Sequence, residues 1–171
     1  PEFESDLSKF LKGFLRTWKD LNNLLTENYV WCERLRGVAV LDIEMAKQYM
    51  CTGPVIRSVG LAYDIRKIYP YLGYEEYTFD IPTKTEGDAY ARYLIRMDEM
   101  RQSLRILEQV LPHLRQTAGA PIINGKPEYA FRAPRAGASY GRVENPKGEL
   151  GFYVTAKRRA GNPDRYHVRA P

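Results

Sequence analysis

The chain has 171 residues, of which 44% are hydrophobic and 27% are charged, and its mean hydropathy is −0.49. These values fit one folded domain with an apolar core, or one domain of a larger subunit. They argue against a membrane-spanning chain, because no apolar run approaches the ~18 residues that a spanning helix needs. No stretch resembles a signal or transit peptide.

The formal net charge of +5 is unevenly distributed. Residues 126–169 hold 10 Lys/Arg and 4 Asp/Glu, whereas residues 1–125 hold 16 bases and 17 acids. The basic segment fits nucleic acid, an anionic membrane surface or an acidic protein, and equally a solvated or subunit-facing β surface. Cys32 and Cys51 are too few to hold an iron–sulfur cluster or a zinc ion. They predict two buried thiols in a reducing compartment.

Apolar residues at helical spacing predict an amphipathic helix over residues 6–27. Its stripe consists of Leu7, Phe10, Leu11, Phe14, Trp18, Leu21 and Leu25. Two short helices are predicted next, over residues 28–36 and 42–50. The first is ended by Gly37, and the second can be capped by the Asp42 carboxylate. Gly53-Pro54 marks a turn after them.

The stretch Tyr63-Asp64-Ile65-Arg66-Lys67, with Pro70-Tyr71-Leu72-Gly73-Tyr74 after it, places an acid, two bases and three tyrosines beside two proline/glycine breaks. In an extended segment Asp64 and Arg66 would share a face. One interpretation is a buried charge relay or a polar wall near a substrate. The other is an ion-paired loop that docks on a long helix, because buried ion networks are often architectural.

Residues 75–82 alternate between apolar and polar side chains, which predicts a half-buried strand. Thr85-Glu86-Gly87-Asp88 resembles a capping box. The helix predicted over residues 88–111 is the longest in the chain, and Pro112 is expected to end it. Its apolar stripe consists of Tyr90, Tyr93, Leu94, Met97, Met100, Leu104, Leu107 and Leu111. Arg92 and Arg96 should repel each other at this spacing, and Asp88 and Glu99 can offset that repulsion.

Glycine, proline and alanine dominate residues 117–135, where Asn124-Gly125 signals a turn. Strands are predicted over residues 138–144, 149–156 and 165–169, with turns at 145–148 and 161–164. The fold class is therefore α+β and mainly helical, with a long central helix, short flanking helices and an antiparallel β meander. We predict a single domain over residues 1–171, with a helical part over 1–116, a connector over 117–137 and the meander over 138–171.

Three motifs in order resemble one family, the D subunit of NADH–quinone oxidoreductase, respiratory complex I. Ser58-Val59-Gly60, Asp64-Ile65-Arg66-Lys67 and Pro70-Tyr71 resemble its "SGV…DLRK…PY" segment. Gly87-Asp88-Ala89-Tyr90-Ala91-Arg92-Tyr93-Leu94 with Met100-Arg101-Gln102-Ser103 resembles its "GDxxxRYLxRxxEMRQS" helix. Glu144-Asn145-Pro146-Lys147-Gly148-Glu149-Leu150-Gly151 and Arg169-Ala170-Pro171 resemble "ExPKGEfG" and the start of "RAPSF".

The resemblance implies a fold shared with the large subunit of nickel–iron hydrogenases. It implies a peripheral-arm protein that packs against a small subunit carrying the terminal iron–sulfur cluster, with a C-type subunit and membrane-arm subunits as further partners. Electrons would pass from NADH through FMN and clusters in those partners to a quinone. The chain itself would bind no cofactor or metal, and would lie at the cytoplasmic face of the bacterial inner membrane or its matrix or stromal equivalent.

The family chain is much longer, so we expect this chain to be a central to C-terminal fragment that is inactive alone. The histidine loop and the tyrosine that contact the quinone headgroup in the family have no counterpart here, and His113 and His167 receive no such role. Eight side chains are the candidates for lining the quinone cavity or relaying charge, or for plain ion pairing. They are Arg57, Asp64, Arg66, Lys67, Asp88, Arg92, Arg96 and Glu99.

Two rival functions remain open from the sequence. One is the large subunit of a membrane-bound nickel–iron hydrogenase-type complex, whose relatives bind metals through paired cysteines near both chain ends. The other is a non-catalytic interaction module with a basic β surface. Nucleic acid is not the partner we expect, because no stacking platform or known nucleic-acid motif accompanies the charge.

Overall fold

The computed structural model describes residues 2–121, 125, 136–158 and 162–171. The helices are α1 (Glu2–Leu25), α2 (Tyr29–Leu35), α3 (Ile43–Gln48), α4 (Pro54–Arg57), α5 (Ile65–Ile68) and α6 (Ala89–Gln116), with a 3-10 turn at Tyr74–Glu76. The strands are β1 (Gly137–Asn145), β2 (Gly148–Ala156) and β3 (Arg165–Arg169). This mainly helical α+β architecture, with its antiparallel meander, confirms the predicted fold class. Across these residues, no helix combines the length and the apolar character needed to cross a bilayer.

Helices α1 and α6 form an antiparallel pair. The Trp18 indole Nε1 donates to the Met97 carbonyl at 2.8 Å near the middle of the pair. At one end the hydroxyls of Thr26 and Tyr93 lie 2.9 Å apart. The apolar stripe of α1 is only partly covered, since Leu11 is buried while Phe10 stays 52% exposed.

A second apolar cluster joins α3 to α4. Ala46, Ile56 and Val59 are buried, and Leu41, Cys51, Leu61 and Tyr63 pack around them. Both cysteines are free thiols, with Cys32 buried and Cys51 half-buried. These short helices are below the length at which isolated helices are stable, so packing of this kind must hold them.

Four helices begin at an Asn or Asp whose side chain accepts from a backbone N–H group. The caps are Asn28 for α2, Asp42 for α3, Asp64 for α5 and Asp88 for α6. The Asp42 cap was predicted and is confirmed, at 2.7 Å from the Met45 nitrogen. The predicted capping box from Thr85 is wrong, because Gly87 takes φ +65° and the helix begins only after Asp88.

The predicted end of the long helix at Pro112 is wrong. Helix α6 continues through Pro112 to Gln116. Proline lacks only its own N–H group, and the next turn re-forms, with the Thr117 nitrogen 3.0 Å from the His113 carbonyl. The helix loses one bond without ending there.

The strand predicted over residues 75–82 is also wrong. Its alternation is real, because Phe79 is buried between exposed neighbours. Its backbone, however, bonds to glutamine side chains of α6 instead of to a neighbouring strand. The Gln109 side-chain oxygen accepts from the Thr78 backbone nitrogen at 2.8 Å. The Gln109 side-chain nitrogen donates to the Thr78 carbonyl at 2.8 Å. Gln102 accepts from the Asp80 nitrogen at 3.0 Å.

The three predicted strands are confirmed to within one residue and lie in the order β1-β2-β3. Asn145 pairs with Gly148, so Pro146-Lys147 is the two-residue turn between β1 and β2. The predicted connector over 117–137, with the Asn124-Gly125 turn, lies largely outside the described residues, as does part of the turn at 161–164. The single-domain division therefore stays a prediction.

The β1–β2 turn contacts the segment before α4 backbone to backbone. A Cβ atom added to Gly53, which has φ +63°, would lie 2.4 Å from the Lys147 carbonyl oxygen. One added to Gly148 would lie 2.5 Å from the Thr52 hydroxyl. Only glycine allows this approach, which fixes the meander against α4.

We predict that Gly53→Ala lowers the free energy of unfolding by about 2–3 kcal/mol, because it adds both a left-handed strain and a backbone clash. Urea unfolding followed by circular dichroism measures the change. Gly37→Ala is the matched control for the backbone strain alone. Gly37 has φ +67° and nothing within 4 Å of an added Cβ, so its cost should be about 1 kcal/mol. Equal losses for both variants would contradict the proposed close contact.

Candidate functional site

The Arg57 guanidinium is the centre of a buried charge cluster. Its side chain is only 2% exposed at the C-terminal end of α4. Its Nη2 lies 2.6 Å from Glu99 Oε1 on α6, and its Nη1 lies 3.1 Å from Glu144 Oε1 on β1. Nη1 also donates to the Tyr63 carbonyl at 2.7 Å. One cation therefore joins the long helix, the sheet and the segment that leads into α5.

Asp64 and Arg66 form the second part of this cluster. Asp64 caps α5, and the Arg66 side chain folds back so that its Nε and Nη2 lie 3.0 and 2.7 Å from the two carboxylate oxygens. Asp64 Oδ2 is also 3.8 Å from Arg57 Nη1. Burial lowers the pKa of Arg66, but the hydrogen bonds and charge of Asp64 outweigh it and raise that pKa. The two residues meet around a helix cap and not along an extended strand.

Glu144 belongs to the cluster but was not among the predicted site residues. Its Oε2 accepts from the Ile65 nitrogen at 3.2 Å, and its own nitrogen donates to the Tyr71 hydroxyl at 3.0 Å. The sequence does contain a pattern that points to Glu144. Tyr140, Arg142 and Glu144 alternate along β1, so the three polar side chains lie on one face of the strand.

The cluster carries one more negative charge than positive when all its groups are ionised. Asp64, Glu99 and Glu144 supply three carboxylates, whereas Arg57 and Arg66 supply two guanidiniums. Burial raises the pKa of Glu99 despite the opposing charge of Arg57. Burial, and then the charge of Asp64, raises the pKa of Glu144. The cluster can therefore hold one proton at a pH where exposed carboxylates have lost theirs.

A cavity of about 650 Å³ lies beside this cluster. The charged residues in its lining are Arg66, Arg96, Glu99 and Glu144. The apolar walls come from Phe10, Phe14, Tyr74, Met100, Leu104 and Leu107. A mostly apolar cavity with a few convergent charged groups is typical of a ligand site.

Lys67 and Arg96 lie at the edge of this site. Lys67 Nζ is 4.2 Å from the centre of the Phe79 ring, and the Arg66 guanidinium lies over the same ring at 4.8 Å. Arg96 is exposed and lines the cavity. Arg96 can therefore contribute positive charge to the cavity itself, whereas Lys67 lies beside Arg66 and is not among the lining residues.

Asp88 and Arg92 form a separate set of hydrogen bonds at the start of α6. Asp88 accepts from the Gly37 nitrogen at 2.8 Å as well as capping the helix. Arg92 donates to the Gly87 and Ala39 carbonyls at 2.7 and 3.0 Å. These contacts connect α6 to the loop between α2 and α3. The structure thus brings together Arg57, Asp64, Arg66 and Glu99 of the predicted site, and places Asp88 and Arg92 elsewhere.

Glu149 lies directly opposite Glu144 in the β1–β2 register but has different surroundings. Its two oxygens accept from the hydroxyls of Tyr63 and Tyr140 at 2.8 and 2.6 Å. Burial alone would raise the pKa of Glu149, but these bonds and two nearby arginines outweigh it and lower that pKa. Burial, and then the bond to Glu149, raises the pKa of Tyr63 to about 12.

Metal binding finds no support in the described parts of the chain. Within residues 2–121, 125, 136–158 and 162–171, no group of three or more His, Cys, Asp or Glu side chains is placed to hold a metal ion. The acidic side chains of the cluster instead face guanidinium groups.

Sequence comparison identifies similar proteins. The profile of the family described as "Respiratory-chain NADH dehydrogenase, 49 Kd subunit" matches residues 1–135. The chain is 46% identical to the D subunit of the NADH-quinone oxidoreductase of Protochlamydia amoebophila over 98% of its own length. It is 44% identical, over its full length, to a D subunit of the same enzyme from a Roseiflexus species. In both comparisons it spans 46% of the relative.

A solved structure has the same fold. A chain of the membrane-bound sulfane sulfur reductase, an archaeal respiratory membrane complex, superposes with a TM-score of 0.86 at 36% identity. The match covers 100% of this chain and 46% of that chain. The chain thus spans about half the length of the proteins to which it is similar.

We predict that Arg57→Met lowers the free energy of unfolding by about 3–5 kcal/mol, because it leaves two buried carboxylates and one partly buried carboxylate with one guanidinium. Urea unfolding at neutral pH measures the loss. Arg105→Met is the matched control, since Arg105 pairs with exposed Asp80 at 2.8 Å and should cost less than about 1 kcal/mol. Similar losses in both variants would show that Arg57 is not the organising cation.

We predict that Glu144 titrates above the ordinary value of 4.5 and Glu149 below it, because their surroundings differ. A pH titration of side-chain carboxyl carbons by NMR measures both midpoints. The folded chain binds an extra proton at Glu144 between pH 4.5 and the raised pKa of this group. The free energy of unfolding should therefore fall as the pH rises through this window. Glu149 should contribute stability above 4.5 that is lost as the pH falls through its lowered pKa. A reversed order of midpoints would contradict the two assignments.

Proposed function

Because this chain belongs to the family of the 49 kDa subunit of respiratory-chain NADH dehydrogenase, we propose that it works within a multi-subunit NADH:quinone oxidoreductase. The single observation that carries the proposal is the buried Arg57 cluster on the wall of a largely apolar cavity. Flavin and iron–sulfur clusters in partner subunits would supply the electron chemistry. This chain's own part is to shape the cavity and to hold charge and protons beside it.

The cavity has the features needed next to a quinone. Its aromatic and aliphatic side chains suit an apolar ring or tail, and its acidic and basic groups converge on one wall. We assign this wall to Arg66, Glu99 and Glu144, with Arg57 and Asp64 behind it. Arg96 adds positive charge to the lining, and Lys67 adds it behind the lining, next to Arg66 over the Phe79 ring. Asp88 and Arg92 keep α6 in position and act at most indirectly.

Proton coupling follows from the charge balance of the cluster. Quinone reduction consumes protons, and a carboxyl with a raised pKa can hold one where it is needed. Glu99 and Glu144 share the same guanidinium, so a change in the charge of either one is felt by the other through Arg57. Burial strengthens this effect, because charges interact more strongly away from water.

The partners and location are part of the same proposal. The small subunit with the terminal iron–sulfur cluster, the C-type subunit and the membrane-arm subunits would cover the chain in the complex. Peripheral attachment at the cytoplasmic face of a bacterial inner membrane, or its matrix or stromal equivalent, fits these partners. The named relatives are quinone oxidoreductase subunits, which favours quinone over the hydrogenase-type interpretation and the basic interaction module.

The test is Glu99→Gln in the assembled complex. We expect NADH-to-quinone electron transfer to fall roughly tenfold, and about 100-fold when Glu144→Gln is added, because the cluster then lacks its proton-holding groups. Transfer from NADH to an artificial acceptor that takes electrons before the quinone should stay unchanged. Proton pumping is measured in the same preparations.

Glu108→Gln is the matched control, since Glu108 is an exposed carboxylate on the same helix. Asp64→Asn tests the other end of the cluster. Wild-type rates of quinone reduction and pumping in a normally assembled Glu99→Gln/Glu144→Gln complex would overturn the proposed role of the cluster.

A further inference from the structure

We propose that a second cavity, behind the Arg57 cluster, binds a small amphipathic carboxylate whose headgroup pairs with Arg142. The cavity holds about 590 Å³ and lies between the inner face of the sheet and the segment from α3 to Tyr63. Its apolar floor is formed by Met50, Cys51, Ile56, Leu61 and Ala62. Its volume is within the range of small-molecule sites. This inference does not rest on the proposed redox function.

Positive charge dominates the cavity. Among the residues that the structure describes, Lys47, Arg142 and Arg169 line it beside one acid, Glu149. Glu149 stays ionised because its pKa is lowered, and Tyr63 stays neutral because its pKa is about 12. The lining therefore keeps a net charge of about +2 over the neutral pH range, which favours an anionic ligand.

Arg142 is the cation that we assign to the ligand, because a guanidinium has five N–H donors and only part of them is engaged by its hydrogen bond to the Tyr69 side chain. Both oxygens of Glu149 already accept from tyrosine hydroxyls, and Arg142 Nη1 stays 3.9 Å from that carboxylate, beyond hydrogen-bond distance. The Arg142 guanidinium carbon lies 3.8 Å from the centre of the Tyr69 ring, so this ring restricts the movement of the guanidinium. Because Arg142 lines the cavity, its remaining N–H groups can bind a carboxylate at two points.

The other two cations have different roles. Arg169 already donates to the Glu149 and Met50 carbonyls at 2.7 Å each, so it holds the sheet in place. Lys47 lies at the rim, where it pairs with exposed Glu44 at 2.9 Å. It can exchange this weak partner for a ligand at little cost.

The ligand must therefore combine one anionic group with a compact apolar body. A carboxylate satisfies the planar fork of Arg142, and an apolar body covers Met50, Ile56 and Leu61. Tyr63 forms part of the cavity wall and also accepts from Arg57 through its carbonyl. A bound ligand would thus touch a residue that contacts the Arg57 cluster.

The experiment is calorimetric titration of the purified protein with octanoate, with 1-octanol and octylammonium as probes that lack the negative charge. We expect octanoate to bind. The uncharged probe 1-octanol and the cationic probe octylammonium should each bind at least about tenfold more weakly than octanoate. Arg142→Gln should weaken octanoate binding by the same factor. Arg165→Gln is the control, because Arg165 is an exposed cation on β3 outside the cavity lining.

Far-UV circular dichroism confirms that both variants are folded. The proposal is overturned if octanoate does not bind to the wild-type protein. This includes the case in which another chain or segment already fills the cavity. Octanoate binding that Arg142→Gln leaves unchanged, or that octanol reproduces, also overturns it. The quinone reductase activity of the Glu99→Gln variant does not affect the test of octanoate binding. The two proposals can therefore be contradicted independently.

Discussion

The buried guanidinium of Arg57 is the interaction on which the arrangement of this chain depends. A charge with almost no access to water is stable only when opposite charges and hydrogen-bond acceptors surround it. Here they come from three places in the chain, namely Glu99 on α6, Glu144 on β1 and the Tyr63 carbonyl. Meeting this requirement brings the long helix, the short helices and the sheet to one point.

Environment, and not residue type, decides the chemistry of the two glutamates at the β1–β2 hairpin. Glu144 and Glu149 are direct neighbours across the strands, yet the pKa of one is raised and that of the other is lowered. Burial, and then the charge of Asp64, raises the pKa of Glu144, whereas the bonds from two tyrosine hydroxyls and two nearby arginines outweigh the burial of Glu149 and lower its pKa. The hairpin therefore presents a proton-holding group to one cavity and a permanent anion to the other.

The sequence predicted local features well where local physics decides them. The Asp42 cap, the antiparallel strands and the amphipathic helices follow from spacing and short side-chain contacts, and the structure has them. The predicted strand at residues 75–82 failed because Gln102 and Gln109 of α6 replace a partner strand. The alternation of apolar and polar residues predicts which side chains face inward. It does not predict which groups form hydrogen bonds with the backbone.

By itself, then, the sequence determined the longer helices and the three strands of the meander, their order and, through three motifs, the family. Tertiary structure alone decided the membership of the charge cluster. Glu144 lies 87 residues from Arg57, whereas Arg92, four residues from Asp88 on one helix, bonds to backbone carbonyls. Contacts between distant segments depend on how the elements pack, because spacing along the chain fixes only which side chains share a face of one element.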